Sequence, residues 1–134
     1  MGLEIRELRA EDAEHVAALW VKYAPDRPAE SVRQTVLQVR RDFPGLCLVA
    51  EVDGRVMGVT LCGRDPRGSY VQRVAIDPEA DGSLCRLLVG RAVAKVVGKG
   101  IGKCHVLVAG DPQPDAFFET LRLTTTDSSS GHAA

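Results

Sequence analysis

The chain has 134 residues and a net charge of −1, with 45% hydrophobic, 26% charged and 4% aromatic residues. This length suits one domain with one core, and the composition is ordinary for a soluble globular protein. The near-neutral charge provides no electrostatic basis for binding nucleic acid or an anionic membrane, and the scarcity of aromatic rings disfavours a base-stacking surface.

The sequence also shows no pattern typical of a membrane span, a signal peptide or a metal site. No apolar run approaches the roughly 20 residues of a membrane span. The charged N-terminal segment MGLEIRELRAED is unlike a signal peptide, so we expect a cytoplasmic protein. None of the four cysteines belongs to a C-x-x-C pair: Cys47, Cys62, Cys85 and Cys104. We expect reduced thiols that behave mostly as small hydrophobes, and no metal site.

The first half of the chain predicts a strand, two helices and a two-stranded hairpin, over residues 3–8, 11–23, 29–42, 46–52 and 55–62. Residues 3–8 alternate between apolar and charged, and apolar residues then recur at helical spacing through the next two segments. The runs LCLVAEV and RVMGVTLC are joined by Asp53-Gly54, which is a strong signal for a tight hairpin.

The second half predicts a strand over 69–76, a long helix that Gly82 opens, a strand over 103–109, a helical turn over 114–121 and a short last strand over 123–127. The order βααβββαβα(β) predicts an α+β fold, in which a mixed, mainly antiparallel sheet carries helices on both faces. Residues 1–127 form one domain in this interpretation, and residues 128–134 form a polar tail.

Three segments carry a resemblance to a known family. LVAEVDGRVMGVTLCG, VQRVAIDPEADG and DAFFETLRL resemble the second and third strands, the fourth strand with its loop, and the late helix of the GNAT superfamily of acyl-CoA N-acyltransferases. The resemblance covers residues 3 to about 127. It implies that acetyl-CoA is a substrate and lies between the fourth and fifth strands.

The resemblance also implies which residues bind this cofactor. The backbone of the fourth strand would hold the pantetheine arm, and the amides of the following helix N-terminus would hold the pyrophosphate. The implied residues are Val74, Ala75, Ile76, Asp81, Gly82, Ser83, Leu84, Cys85, Arg86 and Phe117. The loop departs from the family pattern R/Q-x-x-G-x-G/A, because Ala80 or Asp81 replaces the leading residue and only one glycine remains. A carboxylate at Asp81 is expected to weaken pyrophosphate binding.

The catalytic acid and base are not where the family places them. Phe118 matches a tyrosine that serves as the acid in many relatives, and Gln72 and Arg73 match positions that often carry the base. The remaining candidates are Tyr70, Glu51, Asp77 and an ordered water, with Tyr70 and Glu51 as our choice. A packing role for Tyr70 and an ion pair for Glu51 are the structural alternatives.

Two functions therefore compete. The first is an N-acetyltransferase that acts on a primary amine, which the resemblance places near Trp20, Tyr23, Arg27 and the loop 24–29. The second is a non-catalytic GNAT-like module that binds CoA weakly as a sensor, or that serves as an interaction or dimerisation domain. An unrelated α/β domain with the same element order is a third alternative. At most one of the family's two final strands is present, so we expect a homodimer that covers the open sheet edge.

Overall fold

The computed structural model describes residues 2–109. In chain order, the strands and helices are β1 (Leu3–Glu7), α1 (Ala13–Trp20), α2 (Ala29–Asp42), β2 (Leu48–Val52), β3 (Arg55–Arg64), β4 (Tyr70–Ile76), α3 (Ser83–Gly98) and β5 (Cys104–Val108). A single 3-10 turn, Ala10–Asp12, precedes α1. The predicted helical turn 114–121, the last strand and the tail lie outside the described residues, and so does the edge that led us to expect a dimer.

The five strands form one sheet in the order β1-β2-β3-β4-β5. Neighbouring strands from β1 to β4 are antiparallel, and β5 runs parallel to β4. Helices α1 and α2 pack on one face and α3 packs on the other. The predicted α+β class with a mixed sheet is confirmed. Among residues 2–109, no helix is long and apolar enough to span a bilayer, and no three His, Cys, Asp or Glu side chains are grouped to hold a metal ion.

The β2–β3 hairpin forms where the sequence predicts it. Asp53 and Gly54 both have positive φ, 52° and 83°, which is the backbone conformation of a type I′ turn. Asparagine, aspartate and glycine tolerate this region best. The turn sets the register of β2 against β3, and residues 58–64 of β3 in turn pair with the whole of β4.

A glycine in β3 brings α3 close to the end of β4. A Cβ atom on Gly58 would lie 2.9 Å from Ile76 Cδ1 and 3.0 Å from Leu88 Cδ2. Gly58 pairs with Ile76 in the ladder, and Leu88 is fully buried on α3. The absent side chain therefore lets the last residue of β4 and the helix share one tightly packed contact.

The face of the sheet beside α1 carries a buried ionic network. Arg6 on β1 donates two hydrogen bonds to the Asp12 carboxylate, of 2.8 and 2.9 Å, and a third of 3.3 Å to Glu51 on β2. Only 10% of the Arg6 side chain and 7% of the Asp12 side chain are exposed. Burial alone would raise the pKa of Asp12, but the hydrogen bonds from Arg6 and from the Arg9 amide hold it below its ordinary value.

Candidate active site

The pairing of β4 with β5 ends before β4 does. The last paired residues are Val74 and Val108, and Ala109 N donates to Val74 O over 2.7 Å. Ala75 and Ile76 continue β4 along β3 but have no ladder partner on β5. Within residues 2–109, a gap between the two strands therefore opens beside Ile76.

The direction of the backbone groups decides which residue of β4 serves this gap. Asp77 N donates to Met57 O of β3, so the backbone groups of odd-numbered residues in β4 face β3 and those of even-numbered residues face β5. The backbone groups of Ala75 thus face Val59 on β3, and the Val74 carbonyl already accepts a hydrogen bond from Ala109 N. Of the three residues predicted to hold pantetheine, only Ile76 presents an N–H to the gap with no backbone partner among the described residues.

The first turn of α3 follows β4 after the Asp77-Pro78 turn, and Asp81 caps it. The Asp81 carboxylate accepts a hydrogen bond of 3.0 Å from Ser83 N, and the Asp81 carbonyl accepts one of 2.9 Å from Leu84 N. The bond from Ser83 keeps the pKa of Asp81 below its ordinary value, so this residue is ionised at neutral pH. Two amides that the sequence analysis assigned to a pyrophosphate are therefore already bonded within the chain.

Gly82 leaves the approach to this turn open. An added Cβ at Gly82 would meet no atom of the described residues within 4 Å, and the residue has the helical angles φ −59° and ψ −22°. Arg86, on the same turn, is exposed and Cys85 is partly exposed. An anion could therefore reach the helix N-terminus, where the helix dipole favours it, if it displaced the exposed Asp81 carboxylate from Ser83.

We expect Asp81→Asn to bind CoA about tenfold more tightly than the unaltered protein, because it removes a negative charge beside the diphosphate. Asparagine caps helices about as well as aspartate does, so thermal stability should change little. Calorimetric titration with CoA at low and high salt measures the gain. An unchanged affinity at low salt would show that the diphosphate does not bind at this turn.

The end of α1 reaches across the sheet to the end of β4. The chain leaves α1 through three consecutive tight turns, with Lys22 N, Tyr23 N and Ala24 N each donating to the carbonyl three residues earlier. Lys22 Nζ then lies 2.8 Å from Asp77 Oδ2, and the Tyr23 hydroxyl donates a hydrogen bond to Ile76 O. These two neighbouring contacts, which we call the β4 clamp, place Tyr23 beside the gap.

Electrostatics at the β4 clamp favour a charged Asp77 and a neutral Tyr23. The hydrogen bonds from Lys22 and from Glu79 N lower the pKa of Asp77. Burial raises the pKa of Tyr23, and the Asp77 carboxylate raises it further. The Cys85 thiol on α3 has a smaller effect in the same direction.

The two side chains predicted to be catalytic lie elsewhere. Tyr70 starts β4, about 20 Å along the strand from Ile76, and its ring packs edge-on against Phe43 under the Arg64 guanidinium. Glu51 lies two strands away from β4 and forms an ion pair with Arg6. The structure does not bring either residue to the gap, so a catalytic role for them stays a prediction that their positions do not support. Phe117 lies outside the described residues.

Sequence reasoning placed Tyr23 only on the acceptor side and gave it no part in the chemistry. A signal for its position does exist, because Tyr23 continues the buried stripe of Val16 and Trp20 at helical spacing. The pattern does not predict that Ile76 is the hydrogen-bond partner of Tyr23, because the two residues are 53 positions apart in the sequence.

Comparisons with known proteins agree with this fold. No protein-family model matches the chain. An acetyltransferase of Sodalis glossinidius is 30% identical over 128 residues, covering 94% of this chain and 90% of that protein. An acetyltransferase of Pectobacterium atrosepticum is 28% identical over 127 residues, covering 93% of this chain and 90% of that protein.

The chain is also similar in fold to solved structures of acetyltransferases. An N-acetyltransferase from Staphylococcus aureus Mu50 has a TM-score of 0.71 at 15% identity and covers 91% of this chain and 83% of its own. A GNAT family acetyltransferase from Brucella melitensis, solved in complex with acetyl-CoA, has a TM-score of 0.59 at 20% identity and covers 86% and 81%. The chain belongs to the GNAT superfamily of acetyltransferases, as the sequence resemblance implied.

Proposed function

We propose that this protein is an N-acetyltransferase that moves the acetyl group of acetyl-CoA to a primary amine by direct attack in a ternary complex. The amine nitrogen bonds to the thioester carbonyl carbon, the C–S bond breaks, and CoA leaves without a covalent enzyme intermediate. Holding both reactants in one cleft supplies much of such catalysis, because a bimolecular step becomes effectively unimolecular.

The observation that carries this proposal is the N–H of Ile76 beside the gap between β4 and β5, which has no backbone partner within residues 2–109. A backbone N–H fixed in a strand is a preorganised donor for a carbonyl oxygen of the pantetheine arm or of the thioester. The N-terminus of α3 lies at the same end of β4 and offers a second contact to the donor through Gly82 and Arg86. One cofactor can therefore span both elements.

The acceptor side is formed by the loop 24–29 that follows α1. Arg27 is partly exposed in this loop and Tyr23 stands at its start. Trp20 is fully buried, so it supports the loop by packing and does not contact the amine. The loop directly follows the β4 clamp, so an amine bound by the loop would enter beside the gap.

One observation favours the non-catalytic alternative. Asp81 accepts hydrogen bonds from Ser83 N and Leu84 N. Its carboxylate also carries a negative charge at the place where a pyrophosphate would bind. A module that binds CoA weakly, as a sensor, would tolerate this arrangement better than an enzyme that must hold the donor for each turnover.

Thermal unfolding with and without acetyl-CoA, followed by a transfer assay, tests the proposal. A ligand at 100 times its Kd adds about 2.7 kcal/mol to the free energy of unfolding, which is several degrees for a chain of this size. We expect such a shift at millimolar acetyl-CoA, and release of free CoA when primary amines are added. A shift without CoA release across a broad amine panel would support the sensor. The absence of any shift would reject both the N-acetyltransferase and the CoA sensor.

A further inference from the structure

Amine attack on a thioester requires a proton for the departing sulfur. The family position that often supplies it is filled here by Phe118, whose ring has no acidic proton. The chain contains two tyrosines, and Tyr70 lies about 20 Å from the gap along β4. Tyr23 is the phenol at the gap.

The contacts of Tyr23 fix its hydroxyl at the end of β4, beside the gap. The hydroxyl donates to Ile76 O, and this carbonyl belongs to the same residue whose N–H has no backbone partner in the described part of the chain. The adjacent Lys22–Asp77 ion pair, with Asp77 only 5% exposed, holds the backbone on both sides of this contact. Rotation about the Cζ–Oη bond is enough to turn the proton from Ile76 O towards an atom in the gap.

We propose that the Tyr23 hydroxyl donates the proton to the CoA sulfur during acetyl transfer; this inference rests on the proposed function. The amine nitrogen forms the new bond to the carbonyl carbon, the C–S bond breaks, and sulfur takes the proton from Tyr23 Oη. The resulting phenolate regains a proton from the water that has accepted one from the acylated nitrogen. Atoms and charge balance over the cycle, with an amide and free CoA as products.

The surroundings of Tyr23 keep this proton available at neutral pH. Among residues 2–109, the titratable groups that act on it are Lys22 on its own segment, Asp77 at the end of β4 and Cys85 on α3. Burial and the Asp77 carboxylate raise the pKa of Tyr23 and outweigh the opposite effect of Lys22. The phenol is therefore protonated below its raised pKa and loses its ability to donate only in alkaline solution.

The test compares Tyr23→Phe with Tyr70→Phe. Each variant loses one phenol oxygen, which lies beside Ile76 at one end of β4 in the first case and at the opposite end of β4 in the second. We expect Tyr23→Phe to lower kcat by about 10² to 10⁴ while CoA affinity, measured by calorimetry, stays within about threefold. Tyr70→Phe should retain the turnover of the unaltered protein. Equal turnover of Tyr23→Phe and the unaltered protein would overturn the role of Tyr23 and leave the proposed function standing, whereas absence of transfer by the unaltered protein would remove both.

A second variant keeps the hydroxyl and separates proton donation from structure. A fluorinated tyrosine at position 23 has a more acidic phenol and nearly the same shape. Donation by Tyr23 predicts that the alkaline fall in kcat moves to lower pH in this variant, and that it does not move when the same residue is placed at position 70. An alkaline limb that stays in place would show that Tyr23 only positions Ile76.

Discussion

Gly82→Asp is expected to lower CoA affinity by at least about 100-fold, which removes the thermal shift at millimolar cofactor. The substitution places a second carboxylate next to Asp81 at the N-terminus of α3, where two like charges within ~4 Å of a diphosphate oppose its binding strongly. The fold should tolerate the change, because Gly82 has helical angles and open space around its Cβ position. An acidic residue in the first turn of a helix is also favoured by the helix dipole.

Gly90→Asp is the matched control for this experiment. Gly90 lies on an exposed position of the same helix, and an added Cβ there also meets no atom of residues 2–109 within 4 Å. We expect Gly90→Asp to bind CoA as the unaltered protein does. Calorimetric titration of both variants gives the two affinities, and a Gly82→Asp protein that binds normally would place the diphosphate away from this turn.

Arg6→Ala is expected to lower the free energy of unfolding by about 3 kcal/mol, the size typical of a buried ion pair that loses one partner. The cost arises because the Asp12 carboxylate, which is 7% exposed, would keep its charge without the two hydrogen bonds from Arg6. Urea denaturation measures the change, provided that the slope of the transition is unchanged.

Two comparisons check this explanation. Arg33→Ala removes an exposed ion pair to Glu30 on α2 and should leave the unfolding midpoint nearly unchanged. Adding Asp12→Asn to Arg6→Ala should recover part of the lost stability, because the stranded charge is gone. A double variant that is less stable than Arg6→Ala would attribute the loss to packing of the arginine stem instead.

Most of the fold follows from local patterns in the sequence. The bounds predicted for α2 are those observed, and the hairpin at Asp53-Gly54 forms with both residues at positive φ. The strand predicted over 69–76 is found as Tyr70–Ile76. These elements have strong periodicity and turn residues that admit few conformations, so neighbouring residues determine them.

The site is less predictable because it depends on contacts between distant segments. The family resemblance drew attention to Val74, Ala75 and Ile76 together, but the hydrogen-bond direction that selects Ile76 comes from the register with β3. Likewise, the sequence showed that Asp81 would oppose an anion, whereas its bond to Ser83 N appears only in three dimensions. Register and capping geometry are tertiary properties that composition and spacing do not determine.

The position of the β4 clamp has a consequence for how this protein could diversify. The loop 24–29 begins directly after Lys22 and Tyr23, which are fastened to Asp77 and Ile76. Under the proposed function, changes within the loop would alter which amine enters while the opposite half of the cleft keeps its shape. Acceptor recognition would then be modular, and an engineer seeking a new amine specificity would vary this loop and leave its anchor untouched.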